Sequence, residues 1–172
     1  TQHYSMGGVR TKATGESPTL KGLFSAGEAA CWDMHGFNRL GGNSVAETVV
    51  AGMIVGEYVA DHCAANPLKV STATIEHFMK KEEKKITDLL VRDYGENPFE
   101  LKTEMQKIMM DKVGIFRNGE DLAQAVEELK VLNQRAKNIA LRNRISSSNP
   151  ELVEAIRVPK MIKMAQCVAY GA

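Results

Sequence analysis

Cysteine is scarce in this chain and poorly spaced for either a framework or a metal. The three present, Cys31, Cys63 and Cys167, form no Cys-x-x-Cys pair. That excludes a disulfide scaffold and points to a reducing compartment. Charge of one sign is lacking too: 22 basic residues against 21 acidic ones leave a net +1. No electrostatic footprint for nucleic acid remains. No apolar run is long enough to cross a bilayer, which takes about 20 residues. The most apolar stretch, Val45 to Ala60, is interrupted by Glu47 and Glu57. Nothing near Thr1 reads as a signal peptide. What is present is ordinary for a soluble globular protein, with 44% hydrophobic and 25% charged residues over 172 positions. This length suits one domain, or one and a fraction.

Glycine is plentiful at the start and nearly missing afterwards. Ten of the 14 fall in residues 1–63, and the remaining 109 residues hold four. Such density marks tight turns and close backbone approach. Charge divides at the same place, −2 before it and +3 after it. The turn dipeptide Asn66-Pro67 sits at the join. A glycine-rich α/β segment, residues 1–66, followed by an all-helical segment, residues 67–172, is the expected organisation.

In the first segment, Tyr4 to Lys12 reads as extended and broken at Gly7-Gly8. Leu20 to Ala26 reads as a buried strand, and Glu28 to Gly42 as a loop. Asn43 is a good N-cap for a helix from Ser44 to about His62. Gly52 and Gly56, one turn apart on that helix, predict tight packing against a sheet. In the second segment four helices follow from period and caps. Ile75, Phe78, Met79, Ile86, Leu89 and Leu90 share the face of one. Leu101, Met105, Ile108 and Met109 share the next, which Asn97-Pro98 opens. Leu122, Val126, Leu129, Leu132, Ala136 and Ile139 define a third after Gly119. Asn149-Pro150-Glu151 opens a fourth, which Pro159 is expected to kink or divide. Short connections imply an antiparallel bundle, with methionine as core filler.

Chemistry concentrates between Gly27 and Ser44. Glu28 follows a strand–glycine pair, where a carboxylate is placed to accept hydrogen bonds from ribose hydroxyls. Arg39-Leu40-Gly41-Gly42-Asn43-Ser44 sets a guanidinium just before a helix amino end, which attracts electron-rich groups through its free N–H groups and dipole. From the residues alone, a cap or surface role for Arg39 stays open beside a site role. His3, near Gly7-Gly8, reads alone as a surface histidine. His62 and His77 have no metal-ligand spacing, and no metal site is expected.

Three stretches carry a family resemblance: His3-Tyr4-Ser5-Met6-Gly7-Gly8, then Gly22-Leu23-Phe24-Ser25-Ala26-Gly27-Glu28-Ala29, then His35-Gly36-Phe37-Asn38-Arg39-Leu40-Gly41-Gly42-Asn43-Ser44. Together they resemble the flavoprotein subunit of fumarate reductase and succinate dehydrogenase. The variant Cys31-Trp32-Asp33-Met34-His35 looks most like the bacterial menaquinol-linked fumarate reductases, and Val113-Gly114-Ile115-Phe116-Arg117 extends the likeness into the helical segment. The family's opening GxGxxG unit has no counterpart here, nor does the capping domain that supplies its arginine proton donor. The resemblance therefore implies an internal fragment: residues 1–66 as the last part of an FAD-binding domain, an α/β remnant, and residues 67–172 as an all-α helical bundle truncated at its end, mostly α overall.

For the parent the resemblance implies FAD as cofactor and reduction of fumarate to succinate by hydride transfer from reduced flavin, in anaerobic respiration. It implies His3 and Arg39 on the substrate carboxylates, and Glu28, Asn43, Ser44 and Val45 on the flavin. No catalytic proton donor falls within the fragment, which alone is expected to be inactive. The implied partners are an iron–sulfur subunit and, through it, a membrane cytochrome b anchor. The implied location is the cytoplasmic face of the bacterial inner membrane. Succinate dehydrogenase and L-aspartate oxidase are alternatives within the superfamily. A non-catalytic helical interaction module is the alternative outside it; either way, an exposed apolar stripe is expected on the helical segment.

Overall fold

The computed structural model describes residues 7–36, 39–67 and 70–172. The chain divides into two compact units, Thr1–Val70 and Ser71–Ala172. Among the described residues are five α-helices and one pair of short parallel strands.

In the first unit, β1 (Val9–Arg10) lies parallel to β2 (Ala30–Cys31), with Val9 opposite Ala30 and Arg10 opposite Cys31. A 3₁₀ turn, Gly27–Ala29, leads into β2, so the expected loop from Glu28 contains a strand. The expected buried strand Leu20–Ala26 does not form. Only Phe24 bridges, to Glu16, and Leu20 is exposed. The cause is local competition for amides. Ser17 Oγ accepts from the Thr19 and Leu20 amides, and Glu16 Oε1 accepts from Gly22 N–H at 3.1 Å. Side chains thus capture donors that a ladder would need.

Helix α1 (Asn43–Ala65) completes this unit. It buries Ala51, Val55 and Glu47, while Val45, Val49, Val50, Met53 and Ile54 stay exposed. An apolar helix of this kind is suited to being covered on several sides. Gly52 and Gly56 do not meet a sheet: a Cβ on either would find no heavy atom within 4 Å.

The second unit is built by its caps. Asn97 accepts from the Phe99 and Glu100 amides and Pro98 takes the first position of α3 (Pro98–Lys112). Asn118 accepts from Asp121 N–H to start α4 (Gly119–Arg135), and Asn149 from Leu152 N–H to start α5 (Pro150–Gly171). In each case a side-chain oxygen satisfies an amide that the helix leaves without a partner. Asn149 is buried, and its Nδ2 also donates to the Asn143 and Ile145 carbonyls, tying the preceding turn to the helix. Pro159 lies within α5 without dividing it.

The core is made by three helices rather than four. Leu101, Met105 and Ile108 of α3 meet Ala125, Leu129 and Leu132 of α4 and Ala155, Val158 and Ile162 of α5. Helix α2 (Thr72–Val91) buries no residue. Only Leu89 and Leu90 reach the core, and Ile75, Phe78, Met79 and Ile86 form the expected exposed stripe. Methionine fills the core at Met105 and borders it at Met109 and Met161, whereas Met53, Met79, Met110 and Met164 are exposed. Ile139 lies beyond α4, in an extended segment paired with Glu96. The amides and carbonyls alternate there: Glu96 N–H donates to Asn138 O and Ala140 N–H to Glu96 O. Gly95 permits this approach, since a Cβ there would overlap the Asn138 carbonyl.

Arg135, at the end of α4, clamps the same junction. Its Nε and Nη2 donate to the two Glu96 oxygens at 2.7 and 2.9 Å, while Nη1 donates to Glu104. The fork matches a carboxylate in both distance and direction. Hydrogen bonding from Arg135 holds the Glu96 carboxyl below its ordinary value, and the pair in turn raises Arg135.

Two outcomes follow for stability. Leu129→Ala should cost about 2–5 kcal/mol in the denaturation of the helical unit, and Ile75→Ala on the exposed stripe less than about 0.5 kcal/mol. Because Glu96 has a lowered folded value, its contribution is present at neutral pH and is lost as acid titrates through that value. Acid unfolding should therefore shift to lower pH in the unsubstituted protein than in an Arg135→Ala variant, as followed by far-UV circular dichroism.

Candidate functional site

The end of β2 and the start of α1 border an open cleft, whose lining includes Glu28, Trp32, His35, Arg39 and Glu47. Its centre is a carboxylate carried by a helix. Glu47 stands one turn into α1 and its side chain is 6% exposed. Oε1 accepts from the Trp32 indole N–H at 2.7 Å, and Oε2 lies 2.7 Å from His35 Nε2. A carboxylate only accepts, so His35 donates from Nε2 and the lone pair of its neutral form falls on Nδ1. Both bonds involve an ionised partner and are of the strong kind.

A second clamp holds the other side of the loop. Asp33 has a positive φ of 65°, which is uncommon for a residue with a side chain. Its carboxylate accepts from Arg10 Nη1 of β1 at 2.6 Å, and that bond raises the Arg10 pKa. The pair is 62% and 66% exposed, so water and salt screen it. The buried Glu47 contacts therefore dominate the anchoring of this loop.

The amino end of α1 is open. Gly42, not Asn43, is the N-cap, and it occupies the left-handed region at φ 83°. It has no side chain to bond the first-turn amides. Asn43 is thus the first helical residue and corrects the expected cap. Its amide donates to Leu40 O at 3.2 Å, and among the described residues no side chain caps the first turn at Ser44 or Val45.

The structure brings Glu28 and Arg39 to one cleft. Asn43, Ser44 and Val45 form the first turn of α1, outside the cleft's lining. The expectation for His3 lies outside the described residues. The residues that sequence reasoning passed over are Glu47, Trp32 and His35. An acid at an interior, otherwise apolar helical position was the signal, since a buried carboxylate needs partners. His62 is half-buried, with its ring edge-on to Phe24 at 5.4 Å. No cluster of potential metal ligands occurs among the described residues, and none of their helices is long and apolar enough to cross a membrane.

Glu47→Ala would leave the Trp32 and His35 donors without their partner in a part-buried setting. It should destabilise the first unit by about 2–4 kcal/mol, whereas Arg10→Ala should leave it nearly unchanged. Trp32 is the chain's one tryptophan, so its emission during denaturation reads this unit directly.

Known proteins align with this arrangement from end to end. The FAD binding domain family matches residues 1–45, and the family described as fumarate reductase flavoprotein C-term matches residues 102–172. The fumarate reductase flavoprotein subunit of Helicobacter pylori is 51% identical over 99% of this chain and 24% of its own length. That of Escherichia coli is 35% identical over 100% of this chain and 28% of its own. A quinol-fumarate reductase solved with menaquinol molecules superposes with a TM-score of 0.85 at 35% identity, covering 99% of this chain and 29% of that one. Sdh1 of Mycobacterium smegmatis, solved in complex with UQ1, superposes at 0.78 and 35% identity, covering 98% and 28%. The chain spans about a quarter of the length of the curated relatives it matches. FAD is the cofactor of this family. In sequence and in fold, the chain belongs to the fumarate reductase and succinate dehydrogenase flavoprotein family.

Proposed function

We propose that these residues are the part of a fumarate reductase flavoprotein subunit that grips the dicarboxylate and cradles one edge of the flavin. In this reading residues 1–66 close the FAD-binding domain and residues 67–172 form the helical domain. The observation that carries the reading is the meeting of Glu28 and Arg39 in one cleft, beside a helix whose N-cap, Gly42, has no side chain to bond the first-turn amides. The donor set suits FAD: an exposed carboxylate for hydroxyl groups, and first-turn amides for an electron-rich ring edge.

Fumarate is a dianion whose double bond accepts hydride only if the charge growing on the far carboxylate is stabilised. FAD, when bound and reduced, supplies that hydride. Arg39 holds a substrate carboxylate with its planar fork and neutralises the growing charge, which a lysine's point charge does less well. His3 is proposed to hold the second carboxylate. Glu28 accepts from cofactor hydroxyls. The Ser44 and Val45 amides, with Asn43 beside them, favour negative charge at the ring edge facing α1. The proton is proposed to come from outside these residues, and the electrons from an iron–sulfur subunit linked to a cytochrome b anchor at the cytoplasmic face of the inner membrane.

The direction of fumarate reduction rests on the 51% identity to a fumarate reductase subunit. Succinate oxidation is the second reading, favoured by the 31% identity to a succinate dehydrogenase flavoprotein subunit of Coxiella burnetii. Turnover measured both ways on the complete complex separates them.

The 172 residues by themselves are proposed to be inactive. A titration of this chain with FAD, followed by flavin fluorescence, should show no saturable binding; tight stoichiometric binding would contradict that. In the full-length subunit, Arg39→Lys should lower fumarate reduction about a hundredfold, or ~3 kcal/mol of lost charge stabilisation. Near-normal turnover would remove Arg39 from the substrate site.

A further inference from the structure

We propose that Glu47 is a positioning residue for Arg39: by holding Trp32 and His35 from within α1, its carboxylate sets the course of the loop that delivers the guanidinium to the cleft. The inference rests on the substrate role proposed for Arg39.

Both ends of that loop are fixed to the same helix. Arg39 follows His35 by four residues and precedes the first residue of α1 by four. Downstream, the loop runs directly into α1 through the left-handed Gly42. Upstream, nothing covalent ties it to α1, and the Glu47 bonds to Trp32 and His35, both at 2.7 Å, supply the tie. Along the chain, Arg39 thus lies between a covalent anchor and a hydrogen-bonded one. A further contact among the described residues, Arg10–Asp33, is exposed on both partners and joins the loop to β1 instead.

Two separate donors on one buried carboxylate also define orientation. Each oxygen is assigned to a different residue, so rotating the carboxylate breaks both bonds at once. An amide in its place has one acceptor oxygen and one NH₂ group; satisfying Trp32 turns that NH₂ towards His35 Nε2, which accepts from it only in the tautomer protonated at Nδ1. Glu47→Gln therefore keeps shape while replacing the charged acceptor at His35 with a neutral donor. Glu47→Asp keeps both acceptors on a shorter stem.

Arg39 grips a carboxylate only if its fork arrives in register, and small displacements of an oriented group cost binding steeply. The assay uses the full-length subunit with FAD bound, titrated with malonate, a dicarboxylate that cannot be reduced, and read by the change in flavin absorbance. Glu47→Gln should raise the malonate Kd about tenfold at unchanged FAD content per subunit, and Glu47→Asp should recover part of the loss. Malonate binding as tight as in the unsubstituted protein in both variants would overturn the proposal. If Glu47→Gln fails to fold or to hold FAD, Glu47→Asp and Trp32→Phe decide: normal malonate affinity in both would overturn it, and weakened affinity at full FAD content supports it. Arg39→Lys in the same titration separates the two claims. Unchanged affinity there sinks the substrate role of Arg39 itself. Weakened affinity there beside unaffected Glu47 variants sinks only the positioning role.

Discussion

One buried carboxylate organises the first unit. Glu47 sits where α1 would otherwise bury only small and branched apolar side chains, alongside Ala51 and Val55. A charge so placed is expensive unless its oxygens are satisfied, and here each has its own donor. The cost of burial becomes a constraint on geometry: the segment bearing Trp32 and His35 has one position that satisfies Glu47. The surface pair Arg10–Asp33 adds a local hold on an unusual backbone conformation, but solvent screens it.

The two units are stabilised by different means. The helical one has a continuous core drawn from α3, α4 and α5, with a forked arginine closing the junction of α4 and the Glu96 segment. The first has two buried apolar residues on α1 and a short sheet. Its order relies on turns, captured amides and the Glu47 contacts. Val45, Val49, Val50, Met53 and Ile54 of α1 stay exposed in this unit.

Capped and periodic elements were the most legible in the sequence. Asn97-Pro98 and Asn149-Pro150 each start a helix as their chemistry requires, because the information is contained within four residues. The mostly helical architecture with a small α/β remnant was legible for the same reason. The strand expected at Leu20–Ala26 was not, because Ser17 and Glu16 take its amides through contacts that an apolar count does not register. Helical period placed Ile139 on α4, whereas its pairing with Glu96 across 43 positions of chain is tertiary and has no local signature. Likewise, period gave α2 an apolar face without saying whether that face would be buried. At the site, Glu28 and Arg39 were legible as motif residues. The Trp32–Glu47–His35 network was not, since it joins residues 12 and 15 positions apart across the start of a helix.

The measurement that bears most directly on this account is a crystal structure of the full-length, FAD-loaded subunit with malonate bound. The Arg39 guanidinium is expected to pair with a malonate carboxylate, with Glu47 still bonded to both Trp32 and His35. A dicarboxylate bound elsewhere, with Arg39 turned away from it, would contradict the account.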